Sequence, residues 1–169
     1  MNHPVELTDF WAYREAWSKS HEPEDWPVSQ EAANMYRWHL DRLAPLAESG
    51  NILAKYAMAS IYLLDLLYPD IATREKNIKE DSTTMTRLLC ECAENGMVFA
   101  FDNLVTSGTG EIGDSARAAA NDYEHIMKAD WDEESNMPVY TPEWMEGAMK
   151  LWRKKRGLKP PTPTGHQIQ

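Results

Sequence analysis

The feature that most restricts the fold is a pattern that occurs twice, forty-six residues apart. Ala47, Gly50, Ala54 and Met58 are answered by Ala93, Gly96, Ala100 and Leu104. Each copy reads as a helix closing on Ala-x-x-Gly, a tight turn, and a second helix with Ala and an aliphatic side chain at i and i+4. Glycine supplies the left-handed residue that such a turn needs, and small side chains let two helices approach. Recurring helix pairs of this kind mark an α/α repeat. No stretch shows the alternation and hairpin turns of strands, so the expected fold is all-α.

The rest of the chain is read around that pattern. In a leading segment, residues 1–28, Thr8 is placed to cap a short helix, Asp9–Ser20, with Phe10, Trp11, Ala16 and Trp17 as its apolar strip. Pro23 and Pro27 forbid helix between them, and Trp26 is expected to pin that loop on the core. Ser29 caps a helix from Gln30 to about Ser49, with Ala33, Tyr36, Leu40, Leu43 and Ala47 facing inward and a kink near Asp41–Ala44 caused by Pro45. The next helix, Ile52–Leu67, is apolar nearly all round and ends at Tyr68 and Pro69. A charged loop, Asp70–Glu80, then leads to a helix opened by Asp81 or Ser82 and its partner Met97–Ser107. The two repeat pairs thus span about 30–67 and 82–107. Gly108–Gly113 reads as an open, mobile turn. Capping helices follow at 115–129 and 142–156, the second started by Thr141 and Pro142. Residues 1–158 form one domain in this reading, and 159–169 a flexible Pro/Thr-rich tail.

The series Ala47, Gly50, Ala54, Met58, Ala59 and Tyr62 resembles the Sel-one-like repeat, a relative of the tetratricopeptide repeat. The second copy matches the front half only, with Gly108 standing where the first has Tyr62. The resemblance covers about residues 30–110. It implies a short α/α solenoid fragment, no catalysis of its own, and protein binding along a curved surface.

Charge narrows the class of partner. The net charge is −10, and residues 97–141 hold nine acids against two bases, whereas 142–169 hold two acids against six bases. Nucleic acid and anionic membrane would be repelled, and a basic protein attracted. No apolar run reaches the roughly 18 residues of a membrane span, and residues 1–11 carry no secretory pattern. Cys90 and Cys92 lie two apart on a helix, facing opposite sides, which suits neither a disulfide nor a shared metal and fits a reducing cytoplasm.

Catalytic and ligand motifs fare poorly. Gly108, Gly110 and Gly113 spell G-x-G-x-x-G, but a helix precedes them where a dinucleotide fold needs a strand. The run Asp130–Asn136 has the alternate oxygens of a calcium loop but Ser135 and Thr141 where that loop needs Gly and Glu. The histidines are scattered, and Asp122 with His125 reads as a surface contact on one helix face. Arg153, Lys154, Lys155 and Arg156 suit the negative end of a helix macrodipole. The expectation is a protein without cofactor or metal that binds another, basic protein. Its sharper form, implied by the family resemblance, is a bacterial immunity protein that neutralises a toxin domain; an adaptor is the alternative, and a helical enzyme using Asp122 and His125 the remote one. Contact is assigned to Arg37 and Trp38 and to the acidic loop of Asp130, Trp131, Asp132, Glu133 and Glu134. Gly50→Val is expected to destabilise far more than Gly110→Val.

Overall fold

A computed structural model describes residues 3–20 and 27–159, so the loop with Trp26 and the tail from residue 160 lie outside the described residues. Among these there are seven helices and one small β-hairpin. Contacts divide the chain into two compact units, Met1–Leu88 and Leu89–Gln169, with the division falling inside one long helix.

The first unit holds α1 (Val5–Ser20), α2 (Gln30–Glu48), α3 (Ile52–Leu63) and most of α4 (Ile71–Glu94). The first helix begins earlier than the Thr8 cap predicts. The Pro4 carbonyl accepts the Thr8 N–H at 3.1 Å, and Thr8 lies inside the helix with its hydroxyl turned back to the same carbonyl. Its buried face keeps Phe10 and Trp17 of the expected strip but not Trp11 and Ala16, which are exposed; Leu7 and Tyr13 take their place. The spacing 7, 10, 13, 17 is the truer helical stripe.

In α2 the expectations hold more closely. The Ser29 side chain accepts the Ala32 N–H, and Tyr36, Leu40, Leu43 and Ala47 are buried. The helix runs on through Pro45 to Glu48, although the proline has no N–H to offer the Asp41 carbonyl. Gly50, at φ +98°, closes it: the Gly50 N–H reaches the Ala47 carbonyl and the Asn51 N–H the Leu46 carbonyl, both at 3.0 Å. Gly96, at φ +93°, repeats this scheme on Ala93 and Cys92.

Two boundaries in this unit depart from the sequence reading. α3 stops at Leu63 rather than Leu67. The same closure forms around Asp65, a non-glycine at φ +55°, with Asp65 bonded to the Tyr62 carbonyl and Leu66 to the Ile61 carbonyl. Arg74 grips that aspartate through two hydrogen bonds of 2.9 and 3.1 Å, which holds the strained residue in place. The expected loop 70–80 is instead the first half of α4. The Asp70 carboxylate accepts both the N–H and the hydroxyl of Thr73 at 2.8 Å, and Ala72, Arg74, Glu75, Lys76 and Lys79 are good helix formers however polar.

The second unit contains the end of α4, then α5 (Val98–Ser107), α6 (Gly110–Ile126), β1 (Asp130–Asp132), β2 (Met137–Val139) and α7 (Pro142–Lys155). Gly108–Gly113 is not an open turn. α6 starts at Gly110 with Thr109 at its N-cap, so the expected caps Asp114 and Ser115 are already helical. A Cβ on Gly113 would run into the Gly108 carbonyl, and Arg117 donates to that carbonyl at 2.9 Å. α6 and α7 meet through small residues: Ala116, Ala119, Ala120 and Ala148 are buried, and Gly147 leaves room for the Tyr123 ring. Thr141 caps α7 by accepting the Trp144 N–H at 3.1 Å, with Pro142 opening the helix. Trp152, 1 % exposed, donates to the Ser115 hydroxyl at 3.0 Å and packs on Phe101. Strands appear where none was expected: the acidic loop is an antiparallel hairpin with Trp131 opposite Pro138.

Candidate functional site

The hairpin is the part of the second unit whose apolar side chains stay outside. Trp131 and Met137 are each 60 % exposed, and Val139 and Tyr140 are exposed as well. Ile126 and Met127, where α6 runs out, add to the same short stretch of chain. Alternation along the strands sorts these groups. Trp131 and Pro138 share one face; Asp130, Asp132, Met137 and Val139 share the other.

Its backbone is fixed locally. The Asp132 carboxylate accepts the N–H groups of Glu134 and Ser135, and the Ser135 hydroxyl at 2.6 Å. These bonds, led by the hydroxyl of Ser135, hold its carboxyl below the usual range. Asn136 at φ +55° completes the reversal. At the base, the Trp144 indole donates to the Met127 carbonyl at 2.7 Å, and the Tyr140 ring lies 4.6 Å from that of Trp144. The hairpin is thus a defined projection rooted on α7. Pro138 has no N–H, so Trp131 and Pro138 must form the non-hydrogen-bonded pair of the ladder. The outer edge of β2 then lacks a donor at its centre, which makes it a poor seat for an added strand.

Of the residues assigned to contact, Asp130, Trp131, Asp132, Glu133 and Glu134 are therefore brought together on one element, with Asp132 committed to forming the turn. Arg37 and Trp38 belong to the other unit and do not act as a pair. The Arg37 guanidinium lies over the Tyr68 ring at 5.8 Å, and the Tyr68 hydroxyl donates to Asp81 at 2.7 Å. Burial and that bond to Asp81 push the Tyr68 hydroxyl up to about 12. Trp38, 48 % exposed, carries the Arg42 guanidinium 4.5 Å from its ring, and Arg42 pairs with Asp9 at 2.9 Å. Glu31, Asn34, Met35 and Trp38 line a shallow groove along α2. A tighter cleft of about 30 Å³, with room for little beyond a water molecule, lies between the end of α3 and the first half of α4 beside Asp65, Tyr68, Arg74 and Asp81. The sequence reading missed Met137, Val139 and Tyr140, which lie in or beside a strand of only three residues.

The other groups with chemical potential are engaged structurally. Asp122 pairs with Lys155 and not with His125. The Arg153 guanidinium is buried and donates to the Glu94 carbonyl at 3.2 Å, while Arg156 binds the Glu94 carboxylate at 2.6 Å and lies over Trp152. Three of the four cations at the end of α7 thus fasten it within the unit. Cys90 and Cys92 are buried and in no disulfide, and burial with the Glu94 carboxylate beside it pushes the Cys90 thiol up to about 12, so it stays protonated. Among the described residues no three His, Cys, Asp or Glu side chains are grouped as a metal site requires, and no helix is long and apolar enough to cross a membrane.

Comparison with family models, with curated proteins and with solved structures found no match for the chain.

Proposed function

We propose that this chain is a protein-binding module without catalysis of its own, and that the hairpin 130–139 is its docking element. The observation that carries this reading is the concentration of exposed Trp131, Met137, Val139 and Tyr140 on a rigidly based projection that also presents Asp130, Glu133 and Glu134. Apolar anchors ringed by acids suit a basic protein surface with a pocket for an indole, met through side chains. The two matching Gly50 and Gly96 closures support the reading of the scaffold as Sel-one-like helix pairs, and that resemblance favours the immunity form, in which the partner is a toxin domain encoded beside this chain.

The test is co-expression with the product of the neighbouring reading frame, followed by association kinetics of the purified pair. Trp131→Ala is expected to raise Kd at least thirtyfold, about 2 kcal/mol for a central aromatic anchor. Glu133→Gln with Glu134→Gln is expected to slow association at low salt and to flatten its salt dependence. A stoichiometric complex indifferent to all three changes would place the docking element elsewhere.

A further inference from the structure

Among the described residues, His39 is a buried group whose surroundings fit its chemistry poorly. It is 2 % exposed, and neither ring nitrogen has a hydrogen-bond partner. Leaving such a group unpaired away from water is unfavourable in the neutral state and far more so in the charged one. Aromatic rings enclose it from both helices. From α1, Phe10 lies edge-on at 5.8 Å and Tyr13 at 5.2 Å; from α2 itself, Trp38 lies at 4.9 Å. Among the described residues, the charged or titratable groups that face it are Asp9 and Tyr13 on α1 and Arg42 on α2. Asp9 and Arg42 are paired with each other, so the carboxylate that would welcome a proton on His39 is already shared with a cation.

We propose that His39 makes the seating of α1 on α2 dependent on pH, with the helix docked while the imidazole is neutral and released as it takes up a proton. Among the described residues, Leu7 and Phe10 are the buried side chains of α1, and the Asp9–Arg42 pair bridges it to α2. A protonated ring here would have to be solvated, and lifting α1, which supplies Phe10 and Tyr13 of the enclosure, exposes it without unfolding α2. The direction agrees with the electrostatics: burial first, then the Arg42 charge, lower the pKa of His39, while Asp9 only partly offsets them. Well above pH 6.5 the ring is neutral whether docked or exposed, so docking carries no penalty from protonation. As pH falls below about 6.5, the exposed ring gains a proton that the docked one refuses, and the equilibrium shifts toward release by up to tenfold per pH unit. The loss levels off once pH passes below the pKa of the docked ring. This device is independent of the hairpin, which lies in the other unit.

The experiment is hydrogen exchange on the full chain between pH 8 and pH 5, corrected for the intrinsic pH dependence of exchange, alongside a titration of the His39 ring protons by NMR. Opening of α1 amides from Phe10 to Trp17 should rise severalfold to tenfold per pH unit below about 6.5, while amides of α7 keep their protection. In His39→Phe the slope of the α1 opening should disappear. A wild-type imidazole that titrates at 6.5 or above overturns the proposal, whatever the variant does. So does an α1 opening with the same pH slope in His39→Phe as in the wild type.

Discussion

Glycine positions in this chain separate two demands that the sequence presents alike. Gly50 was assigned to a left-handed turn from its place after Ala47, and its φ of +98° agrees. Gly110 was assigned to a loose turn, yet it too is left-handed, at +64°, and both have open space around the missing side chain. Valine at either position would therefore carry left-handed backbone strain of about 1–2 kcal/mol rather than a clash, with the larger share at Gly50, whose φ lies further outside the region L residues reach. An intolerant glycine is Gly113, whose α6 backbone rests on the Gly108 carbonyl. Gly113→Ala should destabilise the second unit by about 1–3 kcal/mol through overpacking, and by more than Gly110→Ala. Urea midpoints for the two variants decide it; a harmless Gly113→Ala would mean that α5 and α6 separate freely. Close approach between segments distant in sequence leaves no local trace, which is why Gly50 could be read from the chain and Gly113 could not.

Helix ends were legible where their chemistry is local and illegible where a distant side chain intervenes. Ser29, Asn51 and Thr141 each cap the helix that follows, as their residue types suggest. The end of α3 at Leu63 depends on Arg74 reaching back to Asp65 across nine residues, which no periodicity foretells. The first half of α4 was mistaken for loop because it is polar on every side, although its residues favour helix. Such a stretch has little packing to hold it, so its cap matters more than usual. Asp70→Ala should leave global unfolding nearly unchanged but speed hydrogen exchange of the amides from Thr73 to Lys76 several-fold. The same loss should appear in the wild type at low pH. The Asp70 carboxyl is held below its ordinary value by the Thr73 N–H and hydroxyl, so its contribution is present above about pH 3.9 and disappears as pH falls through the lowered pKa. Unaltered protection in Asp70→Ala would show that α4 is nucleated from its buried end. The hairpin failed to announce itself for a related reason: three-residue strands are too short for alternation to stand out, and Asp132 builds the reversal without glycine.

At the scale of the whole molecule the charge and the buried titratable groups set the conditions in which the fold persists. Tyr36 is fully buried, and desolvation pushes its hydroxyl up to about 12; Tyr68 and the Cys90 thiol reach about 12 as well. All three stay protonated in the fold at pH values where the unfolded chain ionises. A raised folded pKa gives stability that is complete below the unfolded pKa and is lost as pH climbs to the folded one. The loss should begin near pH 8.5 with Cys90 in the second unit and gain Tyr36 and Tyr68 in the first from about pH 10. Each group can contribute up to about 1.4 kcal/mol per pH unit over its window, and less where solvent reaches it. The net charge of −10 grows more negative over the same range, and its self-repulsion acts in the same direction. Denaturant midpoints should therefore fall steadily between pH 8.5 and 11. Cys90→Ala should remove the first part of the decline, below pH 10, from the transition of the second unit and leave the tyrosine part intact. If the decline in Cys90→Ala still begins at pH 8.5 with the same slope, the Cys90 thiol does not carry its first part.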